Sequence, residues 1–476
     1  MEFNDLEKKL IKYDKDSCAF IQNYQLLLNE IPMSLKNLDY GVYPDNENIY
    51  NHSRFIYNKL LNYFPHAIFY PNSAKNISYL IHQFVKYKLN FAIRCGGHAY
   101  EAASLSNGYI LDVKKLPSYI IISKDRKTAK ISSGLLSGDL VKTLSKSSLI
   151  TPTGTHSCVG ISGLCLAGGK GLLSRLYGLT CENIVSLKMI NYKGDLISAN
   201  KNERSDLLWA CKGAGAGNFG IITEIELNVY EDIYCELETF TWEWNSSLAK
   251  ELLIMYQLFV ENFPNTIGSE FSIVYNNSIG SIIINFFIFN HAHANISTEI
   301  FKNKNNPSYE YYSGFYSKIT PYWINQSSGY DPPFSKIKST MIFKPTISKE
   351  GIDLLVNSIN FNLEKKFKLN YQININQLGG QVEKGESAYY PKKANFILSY
   401  FMQWTNPDLT EYAKKFLKNI YHSILPYTSI YCFPNLIDYD IKNYMEQYYG
   451  SNKNRLREIK KKYDPENIFK YRQSIR

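Results

Sequence analysis

Apolar positions recur along the chain at two periods, and each predicts a different element. Between Ser73 and Val85, residues Ile77, Leu80, Ile81, Phe84 and Val85 fall on one helical face, with Ser73 placed as an N-cap. The run Phe91-Ala-Ile-Arg94 then predicts a strand, as do Tyr109–Val113, Tyr119–Ile122 and Thr128–Ser132, with a helix over Leu140–Leu144 after Ser137. Asn183–Ile190 and Leu196–Ser198 flank the turn signal Lys193-Gly194 and predict a hairpin. Ser205 is expected to cap a short helix through Trp209, and Ile221–Val229 closes this part as a strand. From Glu231 onward glycine thins and long strand-like runs follow, among them Phe271–Tyr275 and Ser281–Phe289. Helices are expected from Ser348 to about Asn362 and from Asn406-Pro407 to about Tyr421. The fold class is therefore α+β, with an antiparallel sheet backed by helices in the second part. The first ~60 residues read as a polar, helix-prone lead-in with Leu6, Leu10 and Ile11 as a modest stripe, and the tail from about Leu436 reads as helical through Lys462.

Composition narrows the class. A chain of 476 residues exceeds one ordinary core and divides into two domains. A hydrophobic share of 45% excludes disorder. The net charge of +10 comes from lysines scattered over the whole length, with no arginine-rich arm, so no specific nucleic-acid partner is expected. The N-terminus opens with acids instead of a signal peptide, and no apolar run nears the ~20 residues of a membrane span. The reading is a soluble protein, cytoplasmic or carried in a particle, with no membrane partner. Eight cysteines show no C-x-x-C and no paired spacing, so neither a disulfide framework nor a metal site is expected. The run Arg455–Lys462 reads as a solvated helix face, and Trp209 and Trp404 as core.

Three glycine-rich stretches carry the candidate chemistry. Ile93-Arg-Cys-Gly-Gly-His98 follows an apolar strand and sets two glycines between a guanidinium and an imidazole, where backbone must approach an anionic ligand closely. Thr151 to Gly171 contains Gly160, Gly163, Gly168, Gly169 and Gly171, whose N–H groups can line another side of the same ligand. Gly215-Ala-Gly-Asn-Phe-Gly220 formally satisfies the dinucleotide G-x-G-x-x-G pattern, but it precedes a strand instead of linking a strand to a helix, which argues against a nicotinamide site.

Together with Asn218-Phe-Gly-Ile-Ile-Thr223 and the ending Tyr448-Tyr-Gly-Ser-Asn452…Lys460-Lys-Lys-Tyr463-Asp464-Pro465…Gln473-Ser474-Ile475, these stretches resemble the berberine-bridge-enzyme-like branch of the vanillyl-alcohol-oxidase flavoproteins. The resemblance runs from about Phe64 to Tyr230 and resumes in patches. It implies an FAD-binding domain over 61–232, a substrate domain over 233–432, and a segment over 433–476 that returns to the FAD-binding domain. It assigns FAD contacts to Arg94, Cys95, Gly96, Gly97, His98, His156, Ser157, Val159, Gly160, Gly163, Gly169, Gly171, Asn218, Gly220 and Ile222. In the family the histidine of Arg-x-Gly-Gly-His carries the flavin on its 8α-methyl carbon, which gives His98 that role.

Departures from the family pattern shape the functional reading. The cysteine that makes a second flavin bond in many members aligns with His156, so a single attachment is expected. Cys158, two positions on, reads as a small inert thiol. Val159 resembles the residue that leaves room for O2 beside the ring. Of the family's polar substrate groups, Tyr100 is kept, a tyrosine becomes Lys170, an acid or glutamine aligns with Ser399, and two C-terminal tyrosines become Phe433 and Leu436. Catalytic candidates are thus Tyr100, Lys170 and Tyr431. Lys170 serves either as a desolvated base or as a cation balancing the flavin's charge. Tyr431 shares a face with Phe433 if an unbroken strand runs through them.

The resemblance implies an FAD-dependent oxidoreductase acting on an alcohol or hemiacetal carbon of a small molecule, plausibly a sugar, with O2 as acceptor and H2O2 as product. Two alternatives stand beside it. One is a structural, coat or binding flavoprotein with turnover weak or lost. The other is a dehydrogenase that passes electrons to a quinone or protein. Oligomeric state is left open.

Overall fold

The computed structural model describes residues 26–276, 279–290, 297–323, 332–343, 346–359 and 369–476. The expected stripe of Leu6, Leu10 and Ile11 lies outside the described residues.

Three sheets organise the chain. The first has the order β1 (Gly41–Val42), β2 (Ala67–Phe69), β4 (Tyr109–Asp112), β3 (Phe91–Arg94), with β2 and β3 both parallel to β4. Helix α1 (Ala74–Lys86) makes the crossover, capped by the Ser73 hydroxyl, which accepts from the Asn76 N–H at 3.2 Å. It buries Ile77, Leu80, Ile81 and Phe84 against the sheet, the face that their spacing predicted.

The second sheet is antiparallel, in the order β5 (Ile120–Ile122), β6 (Thr128–Ser132), β10 (Ile221–Asn228), β8 (Ile184–Ile190), β9 (Leu196–Asn200). A short ribbon pairs β7 (Leu149–Ile150) with β11 (Tyr230–Glu231). Against these pack α2 (Ser137–Ser145), α3 (Ile161–Ala167) and α4 (Ser205–Ala214). Two local readings differ from the sequence. Ser205 is the first helical residue and caps nothing; the N-cap is Arg204, in a left-handed conformation at φ 52°. The helix also runs past Trp209, with non-helical backbone at Lys212 and at Gly213, φ +105°. The G-x-G-x-x-G segment leads from this helix into β10, as its rejection as a nicotinamide site required.

The third sheet has seven antiparallel strands in the order β15 (Ser308–Phe315), β12 (Tyr234–Glu243), β14 (Ile279–Phe289), β13 (Ile267–Asn276), β17 (Asn370–Gln377), β18 (Phe396–Trp404), β16 (Phe334–Ile342). Strict alternation gives it two unlike faces. Phe271, Ile273, Tyr371, Ile373, Ile375, Leu398 and Tyr400 face α5 (Ser246–Val260), α6 (Lys349–Asn357) and α7 (Thr410–Ile424), and bury with Leu252, Leu355 and Leu417 in one core. Helix α6 stops at Asn357, short of the expected Asn362. The opposite face carries Ser272, Asn374, Ser399 and Ser339, which are register partners in one row across four strands, and Glu270 opposite Asn376 in the next row.

The tail forms α8 (Tyr444–Tyr449) and α9 (Lys453–Tyr463) and buries Met445, Tyr448, Leu456, Ile459 and Ile475 with the β8/β10 core. Its basic run is not wholly a solvated face. Lys460 is buried and donates to Asp464 Oδ2, Asn218 O and Phe469 O at 2.6–2.7 Å. Trp404 is core, but Trp209 is only half-buried, with the Arg455 guanidinium 3.8 Å over its ring.

Candidate functional site

Strand β3 delivers the first glycine loop against the second, and the two touch backbone to backbone. A Cβ on Gly96 would lie 2.2 Å from Gly160 N, and one on Gly160 would lie 2.4 Å from Gly96 N. Only glycine at both positions allows this approach. The second loop is fastened in turn to α2, where Ser137 N donates to Val159 O at 2.9 Å and Gly138 N to Ser157 O at 2.8 Å. From the far end of the chain, Asn435 accepts from Gly169 N at 2.8 Å and donates to Leu164 O at 3.0 Å.

These loops enclose a cavity of about 370 Å3. Arg94, Cys95, Gly96, Gly97, His98, Tyr100, His156, Val159, Gly160, Gly163, Lys170, Gly220 and Ile222 line it. Five expected site residues do not. Ser157 gives its carbonyl to α2, Gly169 is held by Asn435, and Gly171 sits where a Cβ would reach 1.7 Å from Thr153 O. Asn218 turns its amide to Ala214 O, Ala216 O and the Ile475 N–H, bracing the turn before β10. Tyr431 packs edge-on against Tyr390 and Phe343 at 5.0 and 6.0 Å. The segment around it is not a strand, so the alternation that would have put it beside Phe433 does not operate. Phe433 itself lines the cavity with Asn435 and Leu436.

Tyr57 is a wall residue that sequence reasoning missed. Its ring stacks on His98 at 4.5 Å and meets His156 edge-on at 6.0 Å. It lies outside the motifs, in the lead-in, and no local signal marks it. Burial pushes the His98 imidazole down to about 4, with His156 adding to the effect, and burial also lowers His156. Both rings are neutral at pH 7, each with a lone pair on one nitrogen. Cys158 Sγ lies 3.5 Å from His156 Nδ1.

Two features of the cavity suit an FAD group. The glycine contact leaves bare backbone in the wall. Arg94, held by Asp112 through Nε at 2.6 Å, keeps a buried Nη1 with no hydrogen-bond partner, a spare cationic donor suited to an anionic group. The residues fit.

Two polar networks adjoin the cavity. In the first, Lys170 Nζ donates to Asn376 Oδ1 and stands 4.0 Å from Glu270, whose Oε1 accepts from the Ser272 hydroxyl; Ser272 also donates to Asn374. Burial disfavours the Lys170 ammonium and Glu270 partly restores it, with a lowered pKa as the outcome. Glu270, Asn374 and Asn376 were also missed; for the two asparagines the signal was the alternation of Asn and Gln with Tyr and Ile in Asn370–Gln377, and Glu270 has no such local mark.

The second network stands behind Tyr100. Lys336 Nζ bonds Glu101 and Asp438 Oδ1, the latter at 2.8 Å, and Lys338 Nζ bonds Asp438 Oδ2 and Asp440 at 2.7 Å each. It joins the first loop, strand β16 and the C-terminal wall. Burial pushes the Tyr100 phenol up to about 12, helped by Tyr57, and its ring meets Phe401 edge-on at 5.6 Å.

Comparison with known proteins agrees with this geometry. A family model described as an FAD binding domain matches residues 65–200, and one described as berberine and berberine like matches residues 432–476. The uncharacterised FAD-linked oxidoreductase YgaK of Bacillus subtilis is 28% identical over 437 residues, covering 90% of this chain and 94% of its own. Among solved structures, wild-type BBE-like 1 of Physcomitrella patens superposes with a TM-score of 0.83 at 21% identity, over 95% of this chain and 99% of its own. Glucooligosaccharide oxidase from Acremonium strictum, described with a 6-S-cysteinyl, 8α-N1-histidyl FAD, superposes at 0.80 and 19% identity, over 91% and 96%. At these identities the superpositions speak for the fold. Among the described residues no helix is long and apolar enough to cross a membrane.

Proposed function

The chain belongs to the berberine-bridge-enzyme-like FAD-linked oxidoreductases, and from that premise we propose that its cavity holds FAD through a single bond to His98 and oxidises an alcohol or hemiacetal carbon of a carbohydrate-like substrate, with O2 as acceptor and H2O2 as product. When bound, the flavin supplies the hydride acceptor.

The chain's own residues prepare and position the rest. His98, kept neutral by burial, offers an imidazole lone pair for attachment. His156 aligns with the cysteine that makes the second link in many family members, and this favours single attachment. Lys170 Nζ takes the substrate hydroxyl proton in its amine form, and Glu270 and Asn376 steady the ammonium that results. Tyr100 keeps its proton up to about 12 and so donates a hydrogen bond to the substrate oxygen instead of acting as base. The rows Ser272–Asn374–Ser399–Ser339 and Glu270–Asn376 offer donors and acceptors to a substrate rich in hydroxyls. The name of the Acremonium relative supports the same substrate class. Val159 lines the wall, and its resemblance to the family position where valine leaves room for O2 supports O2 as acceptor.

The observation that carries this reading is the buried contact of Lys170 with Glu270 and Asn376 beside the cavity. Its test is the visible spectrum of the purified protein, taken anaerobically before and after mixing with aldoses, oligosaccharides and primary alcohols. Bleaching is expected with the sugars; a spectrum that persists through the whole panel, or bleaches with the simple alcohols alone, overturns the substrate class. In His98→Ala the flavin is expected in the supernatant after acid precipitation, and flavin retained in the pellet removes His98 from its role.

A further inference from the structure

A second opening, of about 1420 Å3, adjoins the cavity across α4. Seven basic side chains line it against three acidic ones, Glu224, Glu226 and Glu386. Two of those acids are already engaged. Glu224 accepts from the Tyr119 hydroxyl and pairs with Lys188 at 3.0 Å, and Glu226 accepts from Thr128 and Ser186. Lys392 is held by Glu182 at 3.3 Å. Among the described residues Lys130, Lys201, Lys212 and Lys393 form no ion pair within 4 Å, although Lys130 stands opposite Glu226 across β6 and β10; with seven cations against three anions in the lining, the rim is net positive.

The partition between this groove and the cavity is thin. Lys212 lines the groove and its neighbour Gly213 lines the cavity. Tyr389 lines the groove, and its buried ring packs edge-on at 5.9 Å against Phe433, a cavity residue. A Cβ on Gly213 would lie 2.7 Å from Tyr389 N, so no side chain thickens the layer there. One layer of residues separates the two spaces.

We propose that this groove docks an electron-accepting protein with an acidic face, and that the reduced flavin can discharge across the Tyr389–Phe433 layer. Each partner molecule takes one electron, so two are reduced for each substrate oxidised, and the protons left on the flavin pass to solvent. The volume exceeds the roughly 300–1,000 Å3 of a small-ligand pocket. Trp209 beneath Arg455 is the aromatic and arginine pairing that anchors protein interfaces. Charge of one sign around the docking face speeds encounter with a partner of the other sign and makes it salt-dependent. The proposal rests on the flavin reading of the cavity.

The test uses plastocyanin, a small acidic copper protein, with basic cytochrome c for contrast. Lys130→Glu, Lys201→Glu and Lys393→Glu are combined in one variant. A control with the same charge change combines Lys349→Glu, Lys415→Glu and Lys418→Glu, on α6 and α7. Binding to immobilised plastocyanin is read first, since it needs no flavin. Anaerobic reoxidation of photoreduced protein by plastocyanin is read second, and reoxidation by O2 third. The expected result is salt-sensitive binding of plastocyanin over cytochrome c, and a tenfold or greater loss of plastocyanin binding and electron transfer in the groove variant. O2 reoxidation should stay unchanged, and the control variant should lose less than threefold. Equal losses in the two variants, no loss in the groove variant, or no binding by the unaltered protein at low salt overturns the proposal. A preparation that lacks flavin fails the reading of the cavity, and binding still decides the docking surface.

Discussion

Asp438→Asn tests the charge cluster that backs the cavity. Asp438 is 2% exposed and accepts from Lys336, Lys338 and the Asp440 N–H. The substitution leaves Lys336 with Glu101 and, at 3.5 Å, Asp440, and leaves Lys338, itself 2% exposed, with Asp440 as its one carboxylate, shared with Lys336 and 51% exposed in its side chain. Removing one partner of a buried pair costs about 3–5 kcal/mol. The asparagine oxygen still accepts one bond, which places the expected loss at the lower end, about 3 kcal/mol, or on the order of a 100-fold change in the folding equilibrium. Calorimetric scans at pH 7 of Asp438→Asn, Lys338→Met and the double variant separate the terms. If the cost is the orphaned lysine charge, the double variant melts above Asp438→Asn, because the charge left without its buried partner has gone. A double variant that melts at or below the sum of the two single losses refutes the reasoning.

Lys170→Met and Lys170→Arg are each expected to slow flavin reduction by about 10²- to 10⁴-fold. In the unaltered protein the same stopped-flow rate should rise with pH and level off at a pH below the usual lysine value, because burial lowers Lys170; a flat profile counts against the base. Gly160→Ala drives a Cβ into Gly96 N and should yield protein without acid-stable flavin, read from the absorbance of the precipitated pellet. Lys336 and Lys338 hold Asp440 at about 2 against the effect of burial. Its folded pKa is depressed, so its contribution is full above the ordinary carboxylate range and is lost as pH falls toward 2. The gap in melting temperature between the protein and Asp440→Asn should therefore close on acidification, and a gap constant from pH 7 to pH 2.5 denies the coupling.

Much of this was legible in the sequence, and the gaps share a cause. The helix face of α1 and the two glycine loops are written in short windows, where period and backbone freedom leave a local mark. Asn218, Gly169 and Gly171 sit in the right motifs but brace the loops instead of lining them, a distinction set by where distant carbonyls and amides fall. Tyr57 and Glu270 reach the site through tertiary packing alone. Tyr431 was placed by an alternation that only a strand enforces, and none forms there.

The bonds that fasten the second glycine loop and the turn before β10 also set the order of assembly. Gly169 waits for Asn435, 266 residues later, and Asn218 for Ile475, 257 residues later. Closing loops of that length is slow relative to forming a hairpin or a single helix. A chain still emerging from the ribosome therefore has both glycine stretches in hand and no finished pocket between them. Completion of the pocket thus becomes a late event that depends on Asn435 and Ile475, and a polypeptide that stops short of Asn435 leaves Gly169 N without its partner and the second glycine loop unfastened.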